Sequence, residues 1–146
     1  MSLSDRQIEL VQSSHKQVAA MPDKVAELFY AHLFEIAPEV KPLFAHADMQ
    51  RQGRKLMQTI NTVANSLKSV GTIVPAVKQL GARHVEYGVT SDMYEVVGQA
   101  LIWTLETGLG SAFTDEVRDA WVAVYVLIST AAIAGANDVL YDTEKI

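Results

Sequence analysis

The chain has no cysteine. Thiolate metal sites, a cysteine nucleophile and a disulfide framework are therefore excluded, and the composition suits a reducing compartment such as the cytoplasm. Positive charge is not in excess either: 12 Lys and Arg stand against 17 Asp and Glu, a net charge of −5 with histidine neutral. A mildly acidic protein is repelled by phosphate backbones, and no basic stripe appears, so a nucleic-acid partner is not expected. The opening MSLSDRQIEL is charged and holds no apolar core segment, which argues against a signal peptide. Internal repeats, low-complexity linkers and sustained period-two alternation are also missing, which leaves one domain over residues 1–146, with 137–146 as a tail. The longest uncharged run, AWVAVYVLISTAAIAGA from Ala120 to Ala136, sits at the short limit of a membrane span. It is rich in Ala, Ser, Thr and Gly and closely flanked by charge, so it reads as a buried helix, with no membrane partner expected.

What the chain does have is apolar bulk, 49% of its residues, arranged at helical spacing. Ser4 followed by Gln7 reads as a capping box, with Ile8, Val11, His15 and Val18 behind it. Pro22 suits the first turn of a second helix, whose wide apolar face carries Val25, Leu28, Phe29, Leu33 and Ile36. Pro38 ends that run or turns a sharp corner, with a short helical turn from Pro38 to Leu43. The polar stretch HADMQRQG follows, then Leu56, Ile60, Val63, Ala64 and Leu67. Ser69 to Thr72 reads as a loop. Ile73, Val77, Leu80, His84 and Tyr87 lie on one helix face, which Gly88 stops. Asp92 is expected to cap the next helix, closed by Gly108 and Gly110, and Thr114 opens the last, with Val117, Trp121, Val124 and Ile128 inward. The expectation is an all-α fold of six to seven helices, too wide in its apolar stripes for a coiled coil.

Four histidines are the candidate metal ligands: His15, His32, His46 and His84. A neutral imidazole binds metals near pH 7, but a lone His on an apolar face is ordinarily a hydrogen-bonded core residue. No pair falls at three- or four-residue spacing, which disfavours zinc and di-iron sites. Spacing alone does not choose among His15, His32 and His84. His84 gains weight from its surroundings: Leu80 one turn before it, a natural acceptor for one ring nitrogen, and the helix stop at Gly88 one turn after. Tyr30 and Gln52 form a second candidate feature, two hydrogen-bond donors able to converge over a cavity. Phe44, after the Pro38 corner, reads as core packing or as a ring stacked on a flat cofactor.

Several segments together resemble the globin family, nearest to bacterial single-domain haemoglobins and to the haem domain of flavohaemoglobins. They are LFYAHLFEIAPEVKPLF (Leu28 to Phe44), QGRKLM (Gln52 to Met57), LGARHVEYGV (Leu80 to Val89), MYEVVGQAL (Met93 to Leu101) and DAWVAVY (Asp119 to Tyr125). The resemblance covers roughly residues 3 to 134. It implies a globin fold around one haem pocket and haem b as the cofactor. His84 then matches the proximal iron ligand, Phe44 the ring on the haem, and Pro38 the corner before it. Tyr30 and Gln52 match the distal donors, and Leu56 the apolar wall one turn on. Tyr94 matches a tyrosine near the proximal histidine, and Lys55 and Arg83 are candidates to reach a haem propionate. The family often places a glutamate near the end of the last helix, against that tyrosine and histidine. Here Ala136 holds the matching position, with Asn137 and Asp138 after it.

The resemblance implies an oxygen carrier or store, in which Tyr30 and Gln52 hold oxygen, a ligand that acquires partial negative charge on haem iron. A second reading is a nitric oxide dioxygenase served by a separate reductase, since no flavin- or nicotinamide-binding segment is seen before Ile146. A third is a gas sensor or interaction module, and a fourth a helical protein without haem. The chain is expected to act as a monomer or as a homodimer through its apolar last helices.

Overall fold

The computed structural model describes residues 3–145. Six α-helices carry the chain: α1 (Asp5–Ala19), α2 (Pro22–Ile36), α3 (Met49–Asn65), α4 (Val74–Glu86), α5 (Ser91–Leu109) and α6 (Asp115–Lys145). Three short 3-10 segments link them, at Pro38–Phe44, Leu67–Thr72 and Gly110–Ala112, and there is no strand among the described residues. The fold is all-α, as the helical spacing of apolar residues requires.

Local chemistry explains the helix ends. Ser4 Oγ accepts from the Gln7 amide at 3.1 Å while Gln7 Oε1 accepts from the Ser4 amide at 2.9 Å, the reciprocal capping box. Asp48 caps α3 by accepting from the Gln50 and Arg51 amides, so that helix begins inside the polar stretch and takes Gln52 into its first turn. Thr114 Oγ1 accepts from the Val117 amide at the start of α6. The expected Asp92 cap is not used. Thr90 holds the N-cap in extended backbone without a side-chain bond, and Asp92 lies inside the first turn, where its charge still complements the helix dipole. The expected loop at Ser69–Thr72 is a 3-10 segment broken at Ser69. Tyr87 and Ile36, expected on apolar faces, are exposed, because each lies where its helix ends and the chain turns away. α6 runs on through residues 137–145, with no Pro or Gly after Gly135 to stop it.

Two apolar clusters build the core. One joins α1, α3, α5 and α6 through Val11, Val18, Met57, Leu105, Ala120 and Trp121. The other joins α2, the Pro38 corner and α5 through Phe29, Tyr30, Leu33, Val40 and Ala100. Leu56 and Leu101 pack against both. Polar atoms in the first cluster are satisfied: Trp121 Nε1 donates to Ser14 Oγ at 2.9 Å, and Ser14 Oγ to the Leu10 carbonyl at 2.6 Å. α6 is long and apolar enough over Asp115–Asp138 to cross a membrane by composition. Here it is the central packing helix, burying Val117, Ala120, Trp121, Val124, Ala132 and Ala136 against α1, α4 and α5.

The tightest crossing is between α4 and α6. A methyl group at Gly81 would overlap the Ala132 carbonyl, and one at Gly135 would overlap the Lys78 carbonyl. The two backbones touch directly at both points, which only residues without a side chain permit. A Gly135→Ala protein is expected to lose about 1–3 kcal/mol to overpacking, lowering the thermal midpoint by about 3–10 °C. Calorimetry that finds no change would mean that the helices separate freely at this crossing.

Candidate functional site

α4 is built to present one imidazole at its end. The helix stops in a paired set of backbone bonds: Gly88 N–H to the Val85 carbonyl at 3.1 Å, and Val89 N–H to the His84 carbonyl at 2.9 Å. This reciprocal closure needs a left-handed residue after the helix, and Gly88 supplies it with φ +88°. The backbone of His84 is thus itself part of the stop signal. The Leu43 side chain lies against Gly88, 3.2 Å from where a Cβ would stand. Leu43 also belongs to the second core cluster, so the end of α4 is seated on the Pro38–Phe44 corner.

The ring of His84 is oriented by its own helix. Nδ1 lies 2.6 Å from the Leu80 carbonyl. A carbonyl oxygen only accepts, so Nδ1 carries the proton and Nε2 is left as a free lone pair. A neutral imidazole with Nδ1 tied down and Nε2 bare is what a metal ligand requires. The other histidines are placed otherwise. His15 is buried, its Nε2 2.6 Å from Asn61 Oδ1, which makes it a satisfied core residue. His32 stacks flat on Trp103, ring centroids 4.0 Å apart. His46 is exposed after the corner.

Tyr94 lies beside His84, ring centroids 6.4 Å apart. Its hydroxyl is buried and has no hydrogen-bond partner among the described residues. Burial pushes this phenol up from its ordinary range. Asp138, the nearest acidic substitute in sequence for the family's glutamate, is exposed, and Ala136 fills the buried position before it. Tyr125, not singled out from the sequence, donates from its hydroxyl to the Tyr94 carbonyl at 2.5 Å. It fixes α5 to α6 behind the site. Its own phenol is raised, first by burial and then by Tyr94.

The second feature gathers on α2, α3 and the corner. Tyr30 is buried among aromatic rings: Phe29 at 5.0 Å, Phe44 at 5.5 Å and Phe34 at 6.0 Å between centroids. Burial pushes the Tyr30 hydroxyl up, and the Gln52 side chain beside it offsets part of that rise. The structure therefore brings Tyr30 and Gln52 together and keeps Tyr30 a neutral phenol, a donor rather than an anion. Leu56, half-buried, packs one turn beyond Gln52. Met93, Val96 and Val97 of α5 pack against the same cluster and join it to the Tyr94–His84 side. Lys55 and Arg83 are exposed, on α3 and α4, and neither forms an ion pair among the described residues.

The donor set fits a flat iron porphyrin: one imidazole with a bare Nε2, apolar and aromatic walls, an unpartnered buried phenol on the histidine side and two neutral donors on the other cluster. No group of three or more His, Cys, Asp or Glu able to cage a free ion occurs among the described residues. Of two surface grooves, one is lined in part by Tyr94 and Tyr125 and the other borders α1, and neither is lined by a histidine, so concavity alone does not mark this site.

Comparison with known proteins places the chain. Residues 27–132 match the family described as Globin. A flavohemoprotein of Bacillus subtilis is 26% identical over 145 residues, covering 98% of this chain and 36% of that protein. A flavohemoprotein of Bacillus thuringiensis is 30% identical over 134 residues, 90% of this chain and 33% of that one. The chain thus spans about a third of the length of these curated relatives. Among solved structures, an engineered carbene transferase from Rhodothermus marinus has a TM-score of 0.86 at 22% identity, covering 98% and 99% of the two chains. A bacterial globin from Campylobacter jejuni has 0.81 at 24%, covering 95% and 99%. At those identities the structural likeness speaks for the fold.

The unpartnered Tyr94 hydroxyl gives a direct test of the histidine side. Deleting a buried hydroxyl that bonds to nothing removes a desolvation cost. Tyr94→Phe is therefore expected to match or exceed the parent in stability, by up to about 1 kcal/mol in denaturant unfolding. A clear loss would mean that the hydroxyl has a partner.

Proposed function

The chain belongs to the globin family, and on that premise we propose that it holds haem b through His84 and binds oxygen reversibly, as a carrier or store. When bound, haem supplies a ferrous iron with one face open to a diatomic gas. The observation that carries the reading is the His84 imidazole, whose Nδ1 donates to a backbone carbonyl and whose Nε2 is free. His84 Nε2 would be the nitrogen that holds the iron. Phe44 and Leu43 offer apolar surface at the Pro38 corner, and Lys55 and Arg83, exposed and unpaired among the described residues, are the candidates to meet propionates.

Tyr30 and Gln52 give the pocket its selectivity in this reading. A neutral phenol and a side-chain amide both donate hydrogen bonds, and a ligand that draws negative charge onto itself is held by them. Phe29, Phe34 and Phe44 fence Tyr30 from water, so its bond competes with little solvent. The other side supports binding over electron-demanding chemistry. His84 Nδ1 donates a hydrogen bond to the Leu80 carbonyl, a neutral acceptor, and the neighbouring Tyr94 hydroxyl has no partner among the described residues. A carboxylate acceptor would raise the basicity of the imidazole; a carbonyl does so less.

The flavohemoprotein relatives favour a second reading, a nitric oxide dioxygenase that draws electrons from a separate reductase. One solved relative in fold is described as a candidate nitric oxide dioxygenase. The two readings share the pocket and differ in what restores the iron.

An absorption spectrum decides the premise: a Soret band is expected, shifting on reduction and again in air, and lost in His84→Ala. No band after addition of hemin would end the haem reading. Tyr30→Phe is expected to speed oxygen release about tenfold to a hundredfold by stopped flow, the equivalent of about 1.5–3 kcal/mol for a hydrogen bond to a charged group. An unchanged rate would remove Tyr30 from ligand binding. Fast, catalytic consumption of nitric oxide on adding a flavin reductase would favour the dioxygenase.

A further inference from the structure

The last turn of α4, which carries His84, has little around it. The crossing with α6 grips the helix at Lys78 and Gly81. From Ala82 to Val85 no residue is fully buried. Beyond the crossing the turn therefore depends on its closure, the two backbone bonds made by the Gly88 and Val89 amides. Gly88 is exposed, and helix ends whose bonds face solvent fray unless something seats them. One side chain does so. Among the described residues, and apart from Gly88's chain neighbours, only Leu43 Cδ2 comes within 4 Å of the place where a Gly88 Cβ would stand.

Leu43 stands on a stiff base. The 3-10 segment Pro38–Phe44 holds two prolines, Pro38 and Pro42, each with its φ fixed by the ring. The Ala45 N–H closes the segment on the Pro42 carbonyl at 3.2 Å. Leu43 also packs into the second core cluster, so its own position is held from behind. The next residue, Phe44, packs its ring against Tyr30 and Phe34. Two adjacent residues of one rigid corner thus serve the two sides of the site. Phe44 meets the tyrosine donor, and Leu43 meets the stop of the histidine helix.

We infer that Leu43 is a positioning residue for His84: it seats Gly88, keeps the closure of α4 shut and so fixes where the imidazole stands. The inference rests on the reading of His84 as the iron ligand. The test is the iron–histidine stretching band of the reduced, haem-loaded protein by resonance Raman spectroscopy, beside the rate of haem transfer to a haem-free acceptor globin. Leu43→Ala is expected to shift or broaden the band and to speed haem loss about tenfold. Leu43→Val, the milder truncation should Leu43→Ala fold poorly, moves both in the same direction. Leu43→Met, which keeps the volume, holds the parent band. Leu33→Val removes bulk from the same cluster away from Gly88. It lowers stability in urea and leaves the band in place. The route through Gly88 is read by a double variant. Gly88→Ala alone disrupts the closure, since φ +88° strains any side chain there, and adding Leu43→Ala then moves the band no further. A parent band in both Leu43→Ala and Leu43→Val overturns the inference. So does a Leu33→Val band displaced as far, which would mean general loosening, or a further shift in the double variant, which would mean that Leu43 acts on haem directly. A parent protein with no Soret band ends the iron-ligand reading and the inference with it, whereas a Soret band with an unmoved stretching band overturns the inference alone.

Discussion

Everything distinctive in this molecule depends on two helices whose backbones touch. Side chains normally hold helices 8–10 Å apart. Gly81 and Gly135 let α4 and α6 approach until carbonyls meet the positions where methyl groups would be. The consequence is positional: α4 cannot slide or roll on α6 without a clash. His84 lies three residues beyond Gly81 on that fixed helix, so its imidazole inherits the placement.

The electrostatics of the site are deliberately quiet. Three phenols, Tyr30, Tyr94 and Tyr125, are all pushed up, chiefly by burial, and remain neutral. The imidazole donates from Nδ1 to a backbone carbonyl, an uncharged acceptor. Among the described residues the buried polar and charged side chains are Ser14, His15 and Thr104, none of them an Asp, Glu, Lys or Arg. In the proposed reading, surroundings of this kind favour holding a ligand over transforming it, and the Tyr94 hydroxyl has no partner among the described residues.

Much of this was legible in the sequence because the helical period carries it. Helical spacing of Ile8, Val11, His15 and Val18, or of Leu80, His84 and the stop at Gly88, follows from local chemistry alone. Capping at Ser4 did too, since its partner is three residues away. What spacing missed was set by tertiary contact. Thr90 rather than Asp92 begins α5 because the chain leaves Gly88 in extended form, and Tyr87 faces solvent because the helix closes beneath it. The role of Tyr125 behind Tyr94 depends on how α5 and α6 pair, which no local pattern encodes. Gly81 and Gly135 looked like ordinary small residues in helices; only their partners' carbonyls reveal why a side chain is forbidden. Tyr30 and Gln52 sat twenty-two residues apart, and their meeting required the Pro38 corner.

The closure of α4 has one more consequence. The Val89 amide bonds to the carbonyl of His84 itself. Fraying of the helix end and displacement of the imidazole are therefore one event rather than two. Under the proposed haem reading, the hold of His84 on the iron and the exchange of a single backbone proton with solvent would be two clocks reading the same motion, with residue 89 reporting on the histidine from outside it.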